Sequence, residues 1–466
     1  MPEGVELGEL ALLLVLAPST QHTVMMPPIG CQGPAAGVRR TPVRSVVLFV
    51  DSRGRSHAMT RSRILLALVL SALLLPALPA SAASSADERR KIETWATPGS
   101  TAITLTGHGF GHGHGLSQYG ALGAAGQGLT WQQIIDFYYP GTTWGTISGK
   151  VRVLITADTG RDVQVTAERG LKVASLSRQR TWRLPQVGAK KWRLVAAGSG
   201  TAVQYTKGGR WRTWKQVKGE AEFSALDGIL TLVLPGARRD YRGTLQSVSP
   251  RQGKRETVNK LSMEAYLRGV VPQEVPALWA PAAVSAQSVA ARTYAAFERA
   301  HPSAGHYDLC DTTQCQVYGG VDVEHPDATA AIKATAKQGR YYDGRPAFTQ
   351  FSASNGGFSS AGSMPYLVAQ ADPYDGLANP SYSTWTTTID DTQVEKQWPA
   401  IGDLVSIEVT ARDGNGDWGG RVTDMAFIGS TGTARVDGDT VRSYFGLNSD
   451  WFTFSVAPRQ LGPARQ

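Results

Sequence analysis

Two prolines four residues apart, Pro272 and Pro276, stiffen the middle of a stretch that otherwise forms helix. On one side Ser262 suits an N-cap, Glu264 favours the positive first turn of a short helix, and Gly269 ends it. On the other side Pro281 fits the first turn of a second helix, whose Ala-rich body runs to Arg299. Between them lies one carboxyl group, Glu274, with Val270, Val271, Val275, Leu278 and Trp279 around it. A carboxyl fixed in apolar surroundings has its pKa raised toward the value that a general acid needs near neutrality. The local pattern also allows a plain solvated glutamate between two turns.

The chain around this stretch has 466 residues, enough for one large domain or two to three ordinary ones, and its 42% apolar content is globular. Its start looks different. Residues 1–58 resemble neither a domain nor an export signal, because the apolar run at 10–17 follows three acidic residues. From Met59 the order is Thr-Arg-Ser-Arg, then the apolar run Ile64–Leu75, then Ala80-Ser-Ala82, as in a secretory signal peptide. We therefore expect Met59 to be the true start, 1–58 an upstream extension, 59–82 a signal peptide, and the protein to be secreted to the cell wall. Without residues 1–82 the chain has 40 basic and 34 acidic residues, a formal +6. A mildly basic exported protein meets anionic wall polymers or lipid headgroups, and nucleic acid is not an expected partner.

Thr101–Phe110 alternates as a strand and runs into Gly107-His-Gly-Phe-Gly-His-Gly-His-Gly-Leu-Ser-Gln-Tyr-Gly-Ala121. Alternating glycines let the backbone turn sharply and approach a ligand closely. His108, His112 and His114 admit a metal reading, against which stands the lack of a nearby acidic residue as an outer ligand. A glycine-rich turn with buried imidazoles is the other reading. Thr130 and Gln133 then form a capping box, with Trp131, Ile134, Ile135 and Tyr138 as an apolar stripe and Pro140-Gly141 as the stop. Strand patterns follow at Lys150–Ala157, Val163–Ala167, Trp192–Ala196, Ile229–Leu234 and Tyr241–Leu245. Residues 171–219 hold twelve basic residues and no acidic one, interleaved with Trp182, Trp192, Trp211 and Trp214. They read equally as a wall-binding face and as a solvated β-face over core tryptophans. Later strands are clearest at Val405–Thr410 and Arg421–Ile428.

The three cysteines are Cys31, Cys310 and Cys315, and Cys31 precedes the expected cleavage point. Two cysteines five apart in an exported chain suggest a local disulfide. With His306 they also make His-x3-Cys-x4-Cys, three-quarters of a zinc site. The disulfide is the preferred reading.

The segments Tyr266-Leu-Arg-Gly-Val-Val-Pro-Gln-Glu-Val-Pro276, Ala286-Gln-Ser-Val-Ala-Ala-Arg-Thr-Tyr294 and Cys315-Gln-Val-Tyr-Gly319 resemble the sporulation stage II protein D (SpoIID/LytB) family. The likeness extends over most of residues 256–456 and also over 101–144. That family includes lytic transglycosylases of peptidoglycan and proteins named as amidase enhancers. The resemblance implies that Glu274 is catalytic, as the Glu of a Val-Pro-x-Glu-x-Pro motif. Its Gly-His-Gly-x-Gly-x-Ser-Gln motif makes His112, Ser117 and Gln118 candidates for sugar contact. Its Ser-x-x-Gly-Gly turn, matched within Thr349–Phe358, puts Ser354 and Asn355 on the groove. Arg292 would orient substrate away from Glu274, since a cation beside that carboxyl would lower its pKa. Some family members hold zinc near the place of His306, Cys310 and Cys315. Two departures stand out. Lys is frequent in the family where Ser285 stands here, and the Gly-His-Gly block, which usually closes the domain, precedes it. Val441–Ser455 resembles the strand that normally leads into that block, so the order looks like a circular permutation that joins surface termini.

The expected fold is α+β: a mixed, β-rich domain with a central helical segment carrying the active-site loop and a β-rich insertion. Residues 83–150 are the permuted groove segment, 151–255 the basic, Trp-rich insertion, 256–456 the SpoIID-like core and 457–466 a tail. The expected activity is that of a secreted lytic transglycosylase on glycan strands, with no required cofactor and zinc only as a structural alternative. A non-enzymatic, glycan-binding enhancer of a cell-wall amidase is the competing class. A metal-dependent amidase would need a histidine–carboxylate ligand set that the sequence lacks.

Overall fold

Residues 92–458, apart from 98, 100, 250–253 and 379, are described by a computed structural model. The upstream extension, the signal peptide, Cys31 and residues 459–466 of the tail lie outside the described residues. Helices and many strands together make an α+β fold.

Six helices frame the middle of the chain: α1 (Gln118–Gly126), α2 (Trp131–Tyr138), α3 (Met263–Arg268), the single turn α4 (Val271–Glu274), α5 (Pro281–Ala300) and α6 (Pro326–Ala334). Their ends follow the local chemistry. Thr130 and Gln133 form the expected capping box of α2. Ser262 accepts from the Ala265 N–H at the start of α3, and Gly269 closes that helix. Pro281 opens α5.

The largest sheet runs Arg210–Lys218, Gly200–Lys207, Lys191–Ala197, Asp162–Thr166, Ala221–Leu234, Ala237–Val248, Glu256–Ser262, Lys150–Leu154 and Leu309–Cys310. The hairpin of Lys172–Ser175 and Arg180–Arg183 hangs from Ala221–Leu234. The basic, Trp-rich segment therefore shares one sheet with Glu256–Ser262, the strand that leads into α3. Alternation fills the inner face, as with Val151 and Val153 or Val163 and Val165, and α3 and α4 pack on it through Met263, Tyr266, Leu267, Val270 and Val271.

Helix α5 separates two cores. Val284, Ala291, Ala295 and Ala296 face the large sheet, while Ala283, Ala286, Val289 and Ala290 face α1 and α2. Small side chains on both sides let neighbours approach closely, which explains the alanine content of a helix buried on two faces.

Near the chain ends, Thr101–His108 is the middle strand between Thr384–Asp390 and Phe452–Pro458, with Gly107 opposite Phe452 and Leu105 opposite Phe454. The two segments expected to meet across the permuted junction are thus hydrogen-bonded neighbours. One part of that expectation is corrected. Val441–Ser455 is not all strand: its first part belongs to the helix Gly438–Phe445, capped by Asp437 and closed by Gly446 in a left-handed conformation. A capping aspartate and a closing glycine outweigh the strand-like look of Val441 to Phe445.

Candidate active site

Glu274 ends α4, where Pro272 fixes the first turn. Its carboxylate accepts one hydrogen bond, from the Val317 N–H at 3.2 Å. The segment supplying that donor is held on both sides. Gln316 accepts from the Tyr266 hydroxyl at 3.0 Å and donates to the Ala291 carbonyl at 3.3 Å. Tyr318 donates to Asn259 at 2.7 Å, and the Gly319 N–H reaches the Gly269 carbonyl at 3.0 Å. The Cys-Gln-Val-Tyr-Gly motif is therefore the brace behind the Glu274 loop.

Glu274 opens into a cavity of about 310 Å3 lined also by His112, Tyr294, Thr313, Gln314, Cys315, Val317, Gln350 and Phe351. It is the one carboxyl among these residues. Burial pushes its pKa up from 4.5 to about 7; the Val317 N–H opposes the rise, and no charged neighbour contributes. A larger cavity, lined by Thr156, Asp158, Arg161, Lys254 and Glu256, contains no residue of the motifs above.

The glycine-rich block places His112 in this cavity wall. Gly111 and Gly113 on either side of it adopt φ of 109° and 71°, and a Cβ at Gly111 would lie 2.6 Å from the Ser352 Cβ. The strand pair Leu116–Ser117 and Phe351–Ser352, with the Phe110–Ser354 bridge, zips this block to the segment at 349–358. The His114 N–H donates to His112 Nδ1 at 3.0 Å, so the proton of the neutral ring sits on Nε2. Burial, then the charges of His114, Arg442 and Arg421, lower the His112 pKa to about 3. His112 is a neutral imidazole at any ordinary pH.

The three histidines do not meet at one point: the His112 and His114 rings stack with centroids 4.9 Å apart, and His108 is held elsewhere. His114 Nδ1 pairs with the Ser360 carbonyl at 3.2 Å, and His108 Nδ1 pairs with the Ser383 carbonyl at 3.0 Å. His108 also stacks on Trp418.

Five of the six side chains expected at the substrate are held by partners inside the protein and are not among the residues lining the Glu274 cavity. Arg292 is 0% exposed and is gripped by Glu264 through bonds of 2.9 and 2.8 Å, with further donors on the carbonyls of Ser288, Ile332 and Gln338. It ties α3, α5 and α6 together and presents nothing to a substrate. Ser117 caps α1 through the Gly120 N–H and donates to Asp375 at 3.1 Å. Ser354 also donates to Asp375, at 2.9 Å, and the Asn355 amide reaches Asp372 at 2.7 Å. Gln118 faces Gln287 at 3.5 Å. All four are buried. Ser117, Ser354 and Asn355 form a frame around Asp372 and Asp375, two carboxylates that the sequence reading missed because they lie outside the matched motifs. Tyr294, Gln350 and Phe351 were also missed as wall residues, although each lies in or beside a quoted motif.

Cys310 and Cys315 form a disulfide with Cα atoms 5.5 Å apart. Its loop supplies Thr313, Gln314 and Cys315 to the cavity wall. His306 is turned elsewhere, with Nε2 at 2.6 Å from Glu256. Among the described residues no group of three His, Cys, Asp or Glu side chains is placed to hold a metal ion. His306, Cys310 and Cys315 therefore do not form the ligand set considered above.

Comparison with known proteins gives a consistent picture over part of the chain. Residues 251–342, which include Glu274, match the family described as SpoIID, stage II sporulation protein. An amidase enhancer of Bacillus subtilis is 34% identical over 135 residues, 28% of this chain and 17% of that protein. An uncharacterized protein of Brachyspira hyodysenteriae is 32% identical over 156 residues, 32% of this chain and 42% of that protein. The stage II sporulation protein D of Bacillus subtilis is 52% identical over 48 residues, 10% of this chain and 14% of that protein. The chain spans less than half the length of each of these relatives.

Proposed function

Through residues 251–342 this chain belongs to the SpoIID family, and from that premise we propose that it is an exported lytic transglycosylase cleaving peptidoglycan glycan strands at Glu274. The observation that carries this reading is a lone cavity carboxyl with its pKa raised to about 7. A glycosidase that hydrolyses uses two flanking carboxyl groups, one of them to activate water or to attack the sugar. One carboxyl suffices when the substrate supplies its own nucleophile.

In this reading protonated Glu274 donates to the glycosidic oxygen as the bond to the anomeric carbon breaks. The resulting carboxylate then takes the proton of the muramyl 6-hydroxyl, whose oxygen closes on the anomeric carbon. The product is a 1,6-anhydro sugar, no water is consumed, and Glu274 ends protonated as it began. The Val317 N–H steadies the carboxylate stage, and its brace keeps the carboxyl in place between the two proton transfers. Neutral His112 lines the cavity without adding a charge that would depress the Glu274 pKa.

The second reading, a glycan-binding enhancer of a cell-wall amidase, draws its support from the name of the Bacillus relative. It keeps the cavity and leaves Glu274 without a proton to transfer. Incubating the protein with purified glycan strands, with and without stem peptides, separates the two by mass spectrometry of the products. An anhydromuramyl end, about 18 mass units below the hydrolytic product because one water is missing, supports the transglycosylase. Binding without cleavage, together with stimulation of an added amidase, supports the enhancer.

A further inference from the structure

The strands between residues 171 and 219 carry more positive charge than acidic partners in the fold offset. They hold six arginines and six lysines and no acidic residue. Among the described residues, Arg193 alone of the twelve is in an ion pair, with Asp162 at 3.0 Å. The strand registers make the imbalance sharper. Lys172 stands directly opposite Arg183, and Lys207 directly opposite Arg210. Like charges facing each other across strands are destabilising, so this lobe keeps two unfavourable pairs that an anion would relieve.

We propose that this lobe is a docking surface for a linear polyol-phosphate chain, separate from the Glu274 cavity. The cations are spread over five strands, which suits a polymer with repeated charges rather than one small anion. Lysine meets a phosphate as a point charge and arginine as a two-pronged donor, and the lobe has both in equal number. A lipid surface fits less well. Among the described residues none of the exposed large apolar side chains lies between 171 and 219, so nothing protrudes to enter a membrane. Stacked nucleobases fit less well too, because cations already cover the ring faces. Arg193 lies 4.1 Å from the Trp211 ring centre, and Trp182 is approached by Arg180 at 5.4 Å and Lys215 at 5.3 Å.

The test is calorimetric titration of the protein with poly(glycerol phosphate) of defined length across a salt series. About five phosphate contacts predict roughly a hundredfold loss of affinity between about 50 and 200 mM salt. The variant Arg183→Gln/Lys207→Gln/Arg210→Gln/Arg212→Gln removes exposed cations only, and should weaken binding at least about tenfold with a shallower salt slope. Its Tm should stay level or rise, since both like-charge pairs are gone. The double variant Arg183→Gln/Arg210→Gln takes one cation from each pair and should weaken binding in the same direction. Unchanged binding by these variants would overturn the proposal, as would equal or tighter binding of polyglutamate, single-stranded DNA or anionic vesicles. Absence of binding would leave the cations as guards of exposed edge strands. Cleavage of short glycans, measured alongside, should be the same in variant and parent, so the outcome at Glu274 is read separately.

Discussion

Glu264 holds Arg292 through two hydrogen bonds, at 2.9 and 2.8 Å, and so pairs the buried guanidinium of α5 with a carboxylate of α3. Arg292 is 0% exposed, whereas the Glu264 side chain is 31% exposed. Glu264→Ala would leave a buried cation without its partner, at a cost of about 3 kcal/mol. Thermal unfolding should show a large drop in Tm, while glycan affinity per folded molecule stays as in the parent. A selective loss of glycan affinity with Tm intact would return Arg292 to the substrate.

Glu274→Gln should reduce glycan cleavage by roughly 10²–10⁴-fold, because the amide keeps the size of the side chain and cannot donate a carboxyl proton. Glycan binding should persist. A variant that cleaves at the parent rate would reduce Glu274 to a loop residue.

The raised pKa gives two pH signatures with the same sign. The acid must be protonated to start the reaction, so kcat/KM should fall as pH rises through about 7. A carboxyl whose folded pKa lies above 4.5 contributes stability that is complete below that value and is lost as pH rises through about 7. Relative to the parent, Glu274→Gln should therefore gain stability at pH 8 and not at pH 4, by an amount on the order of 3 kcal/mol, seen as a higher Tm at pH 8. Equal Tm differences at both pH values would place the carboxyl in water.

His112 should remain neutral, with its proton on Nε2, from pH 5 to 8. Nitrogen NMR of the imidazole gives a direct reading. A titration midpoint near 6.5, the ordinary value for histidine, would mean that the ring is solvated and free of the His114 N–H.

The Cys310–Cys315 disulfide should leave no reactive thiol from residue 83 onward. Cys315→Ser should loosen the wall that carries Thr313 and Gln314 and lower cleavage with a smaller effect on Tm. One zinc per chain by elemental analysis, together with free thiols, would replace the disulfide with a metal site.

What the sequence settled by itself is short-range chemistry. The capping box of Thr130 and Gln133, the Ser262 cap, the Gly269 stop and the Pro281 start each depend on residues within a few positions, where steric and hydrogen-bonding preferences act directly. The stiff loop of Glu274 and two cysteines five apart are local in the same way, but the surroundings of Glu274 are not: Leu278 is 80% exposed, and the cavity wall comes from His112, Tyr294, Val317 and Phe351. Tertiary structure alone decided which way the polar side chains of the motifs face. Ser117, Ser354 and Asn355 sit in motif positions suited to sugar contact, yet each is buried against Asp372 or Asp375. Asp375 lies 258 residues from Ser117 along the chain. A buried hydroxyl or amide must find a partner wherever the fold brings one, and no periodicity in sequence records a partner that distant. Arg292 illustrates the same point: the resemblance implies a substrate-orienting role, whereas the packing of α3 against α5 pairs its guanidinium with Glu264.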